Sequence, residues 1–216
     1  MKQLCADFDA TNNLPTAAAM VAWVGVQLAA LAVCSMRVPL WARSPVATEQ
    51  LALIVMLATQ TAMASVLFPI LLRNVLWALI AIAVAWPMGE LASFLADSSA
   101  SRFVIGEIYV SIWLATLHLW TMALRSSWEK IFGAAIAAMV TLGGPLLFYL
   151  RIEFGETSGS GPPLGAFGPT AGVVSLMIPG ERNTITWGVL ALSFALAVIA
   201  RLAGKKFSWS SRQVVH

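Results

Sequence analysis

Three ionisable side chains stand within long apolar runs of this sequence: Glu90, Glu107 and His118. A charge at the centre of a bilayer costs at least about 2.5–3.5 kcal/mol, so each needs a partner, a neutral form or water. At 100° per residue, Glu107, His118 and Arg125 fall within about 20° of one another on a helix. They define a polar stripe, and Glu90 reaches a depth similar to Glu107 beyond a kink expected at Pro87. Such a stripe is chemically suited to pass protons or a polar substrate, with Glu107 and His118 exchanging protons. The structural alternative places both glutamates near the outer surface in reach of water, with His118 hydrogen-bonded to a neighbouring helix.

Other chemistries lack their residues. No GxxxxGK[ST] pattern is present, so the chain does not cradle nucleotide phosphates in the P-loop manner; Ala203-Gly204-Lys205-Lys206 lacks the upstream glycine. The only imidazoles are His118 and His216, too few for a paired-histidine haem or metal site within one subunit. GxSxG and HExxH are both absent. Cys5 and Cys34 form no CxxC motif, and Cys34 lies in an apolar stretch where no structural disulfide is expected. The expectation is a chain with no catalytic residues, no metal and no cofactor.

The elements that must position the polar stripe follow from composition. Of 216 residues, 59% are apolar and 11% charged, whereas a soluble domain carries about 25% charged residues. A water-facing shell cannot be assembled from this set. About 20 apolar residues cross a hydrocarbon core ~30 Å thick. Six segments meet that length: 15–36, 50–72, 74–96, 103–124, 131–150 and 184–204. They are continuously apolar rather than alternating, which excludes a closed barrel. The fold class is therefore all-α: a polytopic membrane protein with about six transmembrane helices in a single domain over 1–216.

Arg73-Asn74 is the polar break between the second and third spans and marks a tight hairpin. Residues 1–13 contain Asp7 and Asp9 and do not read as a secretory signal. With an even number of spans both termini share a side. Taking it as cytoplasmic, that side holds Lys2, Arg73, Arg125, Lys130, Arg201, Lys205, Lys206 and Arg212. Only Arg37, Arg43, Arg102, Arg151 and Arg182 lie opposite, a positive-inside bias that sets both termini on the cytoplasmic side; the expected location is the plasma (inner) membrane. Trp41, Trp128, Trp187 and Trp209 fall near span ends, at headgroup level. The cations are dispersed between apolar stretches, so no nucleic-acid partner is expected.

The last connection, the exterior loop 151–183, differs from the others. Its Gly/Ser/Pro-rich first part through Pro163 is irregular. Leu164 to Pro179 is apolar but too short to span, which predicts a re-entrant or interfacial helix around Thr170–Met177. Pro169 stands near its start and Pro179-Gly180 ends it. In the fifth span Gly143-Gly144-Pro145 predicts a kink or close crossing and is a candidate flex point. Ala17, Ala18, Ala19, Gly25, Ala29 and Ala30 predict tight packing of the first span.

An apolar fifth helix, the Phe167-Gly168-Pro169-Thr170-Ala171 loop, a short apolar helix, Pro179-Gly180-Glu181, Trp187, a final helix and a basic tail follow in order over 131–206. This C-terminal third resembles the end of ABC-2 type permeases, the six-helix membrane subunits of ABC exporters, whose fifth and sixth helices are separated by short re-entrant helices. The resemblance implies a permease energised by a separate ATPase subunit and working as a homo- or hetero-oligomer in the lipid bilayer. It makes Phe167, Pro169 and Pro179 a candidate exterior gate. The coupling helix that the family carries between the second and third spans has little room at Arg73-Asn74, which leaves Arg125–Lys130 as the other docking surface. Two further readings stand beside it: a non-catalytic accessory or scaffold subunit of a larger membrane complex, and a proton-coupled carrier using Glu90, Glu107 and His118.

Overall fold

The computed structural model describes residues 10–35, 51–124, 126–153, 168–177 and 183–213, and every regular element among them is helical. In chain order these are α1 (Ala10–Ser35), α2 (Leu51–Leu71), α3 (Val75–Leu95), α4 (Ala100–Ala123), α5 (Ser127–Glu153), α6 (Pro169–Met177) and α7 (Asn183–Gln213). Five of them, α1 to α4 and α7, are long and apolar enough to cross a membrane. The expected span 131–150 lies within α5, which is 27 residues long. Phe94, Phe132, Met139, Leu192 and Ile199 are exposed around the bundle, an apolar coat that suits lipid rather than water. The protein is a polytopic helical membrane protein.

Local chemistry sets the helix ends. Asn74 caps α3, its Oδ1 accepting from the Trp77 N–H at 2.9 Å, so the Arg73-Asn74 break becomes a hairpin between α2 and α3. Ser126 and Glu129 form a reciprocal capping box at the start of α5: Ser126 Oγ accepts from the Glu129 N–H, and Glu129 Oε2 from the Ser126 N–H. At the end of α3 the chain turns through Asp97 at φ 45°, and the Ser98 N–H returns to the Ser93 carbonyl.

α2 is the axial helix, packed against α1, α3, α4, α5 and α6. α3 meets it and α4 along a buried stripe of small residues, Ala78, Ala81, Ala85, Gly89 and Ala92, which lets backbones approach closely. The small residues of α1 behave otherwise. Ala17, Ala18, Gly25 and Ala29 are exposed, and a Cβ on Gly25 would meet nothing within 4 Å. α1 does pack closely on α2, but through Thr16, Ala19, Trp23 and Gln27; of the small residues expected to form that face, Ala19 is the one buried in it. α5 runs unbroken through Gly143-Gly144-Pro145. Gly144 is buried, but a Cβ on Gly143 would find open space, so no close crossing occurs at Gly143.

α6 is the short helix expected before the last span, and it is enclosed. Every residue but Val174 is buried, against α2, α4, α5 and α7. This enclosure meets the condition under which so short a segment is tolerated at membrane depth, namely that protein covers its ends. Gly168, at φ 114°, begins it by accepting from the Gly172 N–H. A Cβ there would stand 2.5 Å from the Val140 carbonyl oxygen at mid-α5. The far end reaches α4, where a Cβ on Gly106 would be 3.2 Å from Met177. Ser175 and Thr186 share a hydrogen bond at 3.1 Å that ties α6 to α7.

Polar side chains join the long helices in layers. About 20 Å from the Leu51 and Ala100 ends, Ser65 accepts from Trp113 Nε1 at 3.0 Å and from Thr141 at 2.8 Å, while donating to the Thr61 carbonyl. One hydroxyl thus binds α2, α4 and α5. Ser65→Ala leaves two buried donors without an acceptor, and we expect it to cost about 1–3 kcal/mol. Thermal unfolding in detergent checks this; an unchanged midpoint would show that both donors find other acceptors.

Candidate functional site

A second polar layer lies about 10–14 Å from the helix ends at Leu51, Leu95 and Ala100, on the rise of 1.5 Å per residue. Its centre is Glu107 of α4, which is 0% exposed. The neighbouring helix makes room for it by lacking a side chain: a Cβ built on Gly89 of α3 would overlap the Glu107 carboxyl. The carboxyl therefore rests directly on the α3 backbone. Gln60 of α2, also 0% exposed, presents its amide beside this carboxyl. Neither carboxyl oxygen has a donor in hydrogen-bonding geometry.

The donors of Gln60 are committed elsewhere. Its Nε2 donates to Gln27 Oε1 of α1 at 3.0 Å and to the Ala85 carbonyl of α3 at 3.0 Å. Gln27 Nε2 in turn donates to the Trp23 carbonyl at 3.2 Å. Backbone carbonyls only accept, so the contacts at Trp23 and Ala85 fix which way both amides point. What Gln60 has left is its Oε1, which is buried without a partner. Four helices thus meet at a layer whose surplus is three acceptor oxygens: Gln60 Oε1 and both oxygens of Glu107.

The other residues of the expected stripe fall apart from this layer. Glu90 is exposed on α3, directed away from the bundle beside Gly89; it shares the depth of Glu107 but not its surroundings. His118 is half-buried about 16 Å further along α4, with Nδ1 2.9 Å from the Leu72 carbonyl. Since that carbonyl only accepts, Nδ1 carries the hydrogen. Val110, Leu114 and Leu117 are buried between Glu107 and His118, so the two are not brought together. Nearby, Arg201 of α7 donates to the Met122 carbonyl at 2.8 Å, capping the end of α4. Pro169 is buried as the first residue of α6. Arg125, Phe167 and Pro179 lie outside the described residues.

Gln27 and Gln60 are the residues of this candidate site that a search for ionisable groups passes over. Their signal is present nonetheless: Gln27 is the only amide side chain of the run 15–36, and Gln60 the only one of α2. No cluster of three or more metal-ligating His, Cys, Asp or Glu side chains occurs among the described residues.

The fit between Gly89 and Glu107 is testable. Gly89→Ala should destabilise the bundle by about 1–3 kcal/mol, the usual cost of overpacking. The same change in a Glu107→Ala background should cost less, because the overlapping carboxyl is gone. Melting curves of the two single variants and the double variant measure the coupling, and strict additivity would separate the two residues.

No protein-family model matches the chain, and no curated protein or solved structure matches it either.

Proposed function

We propose that the chain is the membrane-spanning permease subunit of an ATP-driven transporter of the ABC-2 type, acting on a hydrophobic or amphipathic substrate. The observation that carries this reading is α6, a nine-residue helix buried inside the bundle between the fifth long helix and the last. That order is the one on which the resemblance of residues 131–206 rests. With no P-loop pattern in the chain, energy must come from a separate ATPase. The substrate path runs between two copies or two related subunits, and α6 gates its exterior end.

In this reading the chain sits in the plasma (inner) membrane with Arg73, Arg201 and both termini cytoplasmic. The ATPase meets the ends of α2, α3, α4 and α5 on that side. The surface offered is the tight 72–74 turn and the first turn of α5, where Trp128 is 81% exposed. An exposed aromatic at a polar turn is the type of residue that anchors a protein partner.

Purification in mild detergent followed by mass spectrometry tests the proposal. A stoichiometric P-loop ATPase is expected, cross-linking through Lys130 and lost or weakened in Trp128→Ala. Recovery with redox or light-harvesting subunits and no ATPase would overturn it in favour of an accessory subunit of a larger membrane complex.

A further inference from the structure

We propose that Glu107 and Gln60 form a proton-binding site inside the bundle, in which the Glu107 carboxyl is held as the acid and donates its hydrogen to Gln60 Oε1. The proposal stands apart from the ATP-driven reading and holds whatever drives the subunit.

The argument is an inventory of hydrogens. Glu107 Oε1, Glu107 Oε2 and Gln60 Oε1 are buried acceptors with no donor, and a buried polar group left unpaired is costly. Both hydrogens of Gln60 Nε2 are spent on Gln27 and Ala85. An ionised Glu107 could recruit one only by breaking a bond that ties α2 to α1 or α3. A single added hydrogen on the carboxyl turns one of the three unpaired oxygens into a donor for Gln60 Oε1, leaves one carboxyl oxygen unpaired and breaks no existing bond.

The surroundings supply no alternative. α1, α2 and α6 carry no Asp, Glu, Lys, Arg or His along their lengths. On α3 the one such residue is Glu90, which is exposed and faces away. On α7, Arg201 is engaged at the opposite end of α4, with Met122. Tyr109, two residues along α4, is buried against Trp187 at a centroid distance of 5.8 Å. On α4 itself, Arg102 stands five residues before Glu107, about 140° round the helix, and His118 lies at the far end against Leu72; no ion pair to Glu107 forms among the described residues. A hard metal ion fits poorly, because such ions take six or more oxygen ligands and one face of the carboxyl is closed by Gly89.

Occupancy has a mechanical consequence. With the proton bound, the chain Glu107–Gln60–Gln27 holds α1, α2, α3 and α4 together. When the proton leaves to water, the carboxylate competes for the Gln60 amide hydrogens and loosens α2 from α1 and α3. The site thus couples proton uptake to the grip of the axial helix on its neighbours.

Infrared spectroscopy of the full chain in lipid nanodiscs tests this. The wild type should show a protonated-carboxyl C=O band that shifts in D2O, persists in Glu90→Gln and disappears in Glu107→Gln, whose amide keeps a donor in place. Should Glu107→Gln not assemble, Glu107→Asp keeps the acid on a shorter stem, and the band should change frequency. A band absent from the wild type, or unaltered by both changes at Glu107, would overturn the proposal. So would a band that appears only when sodium and potassium are removed, which would make the site a cation site.

Discussion

In lipid the burial of leucine does not draw helices together, because the acyl chains are as apolar as the side chains. Association must come from close packing and from hydrogen bonds between helices. This bundle depends on α2, whose Gln60, Thr61 and Ser65 are all fully buried. Gln60 reaches α1 and α3, and Ser65 receives bonds from α4 and α5. Individual interhelical bonds in membranes average about 0.6 kcal/mol, so their placement matters more than their sum. They fix the rotation of each helix about its axis, which a uniformly apolar surface leaves undetermined.

That distinction explains what was legible in the sequence. The long helices follow from hydropathy and length, and Arg73-Asn74 and Pro169 mark their turns correctly because polar and proline chemistry is local. The small helix at Pro169–Met177 is legible for the same reason: the mostly apolar stretch from Leu164 to Pro179 is too short to span. Rotation was less legible. In lipid an apolar residue is equally at home inside or outside, so periodicity no longer marks the core. Ala17, Ala18 and Gly25 therefore suggested a packing face that turns outward, while Ala81, Ala85 and Gly89 form a buried one.

The polar residues were read through charge, and charge alone proved a partial guide. Helical geometry put Glu107 and His118 on one face, and both do meet α2, at Gln60 and Leu72. It could not show that Val110, Leu114 and Leu117 separate them. Nor could it show that an uncharged glutamine would be the residue that gives Glu107 its setting. Pairing across helices depends on tertiary contact, and no spacing within one helix reports it.

The acid and the enclosed helix are neighbours in a way that bears on how the bundle could move. Gly106 carries Met177 and Leu57 against its Cα, and the next residue of α4 is Glu107. One turn beyond Leu57 on α2 stands Gln60. The end of α6 thus abuts the same turns of α2 and α4 that hold the carboxyl and its amide. Packed interiors move between discrete arrangements rather than deforming smoothly. A shift of α6 large enough to open a path beside it must displace Met177 from Gly106, and with it the spacing between Gln60 and Glu107. The hydrogen bond we propose between Glu107 and Gln60 is the one most exposed to that change. A bundle built this way ties the position of its enclosed helix to the protonation of its one fully buried carboxyl among the described residues.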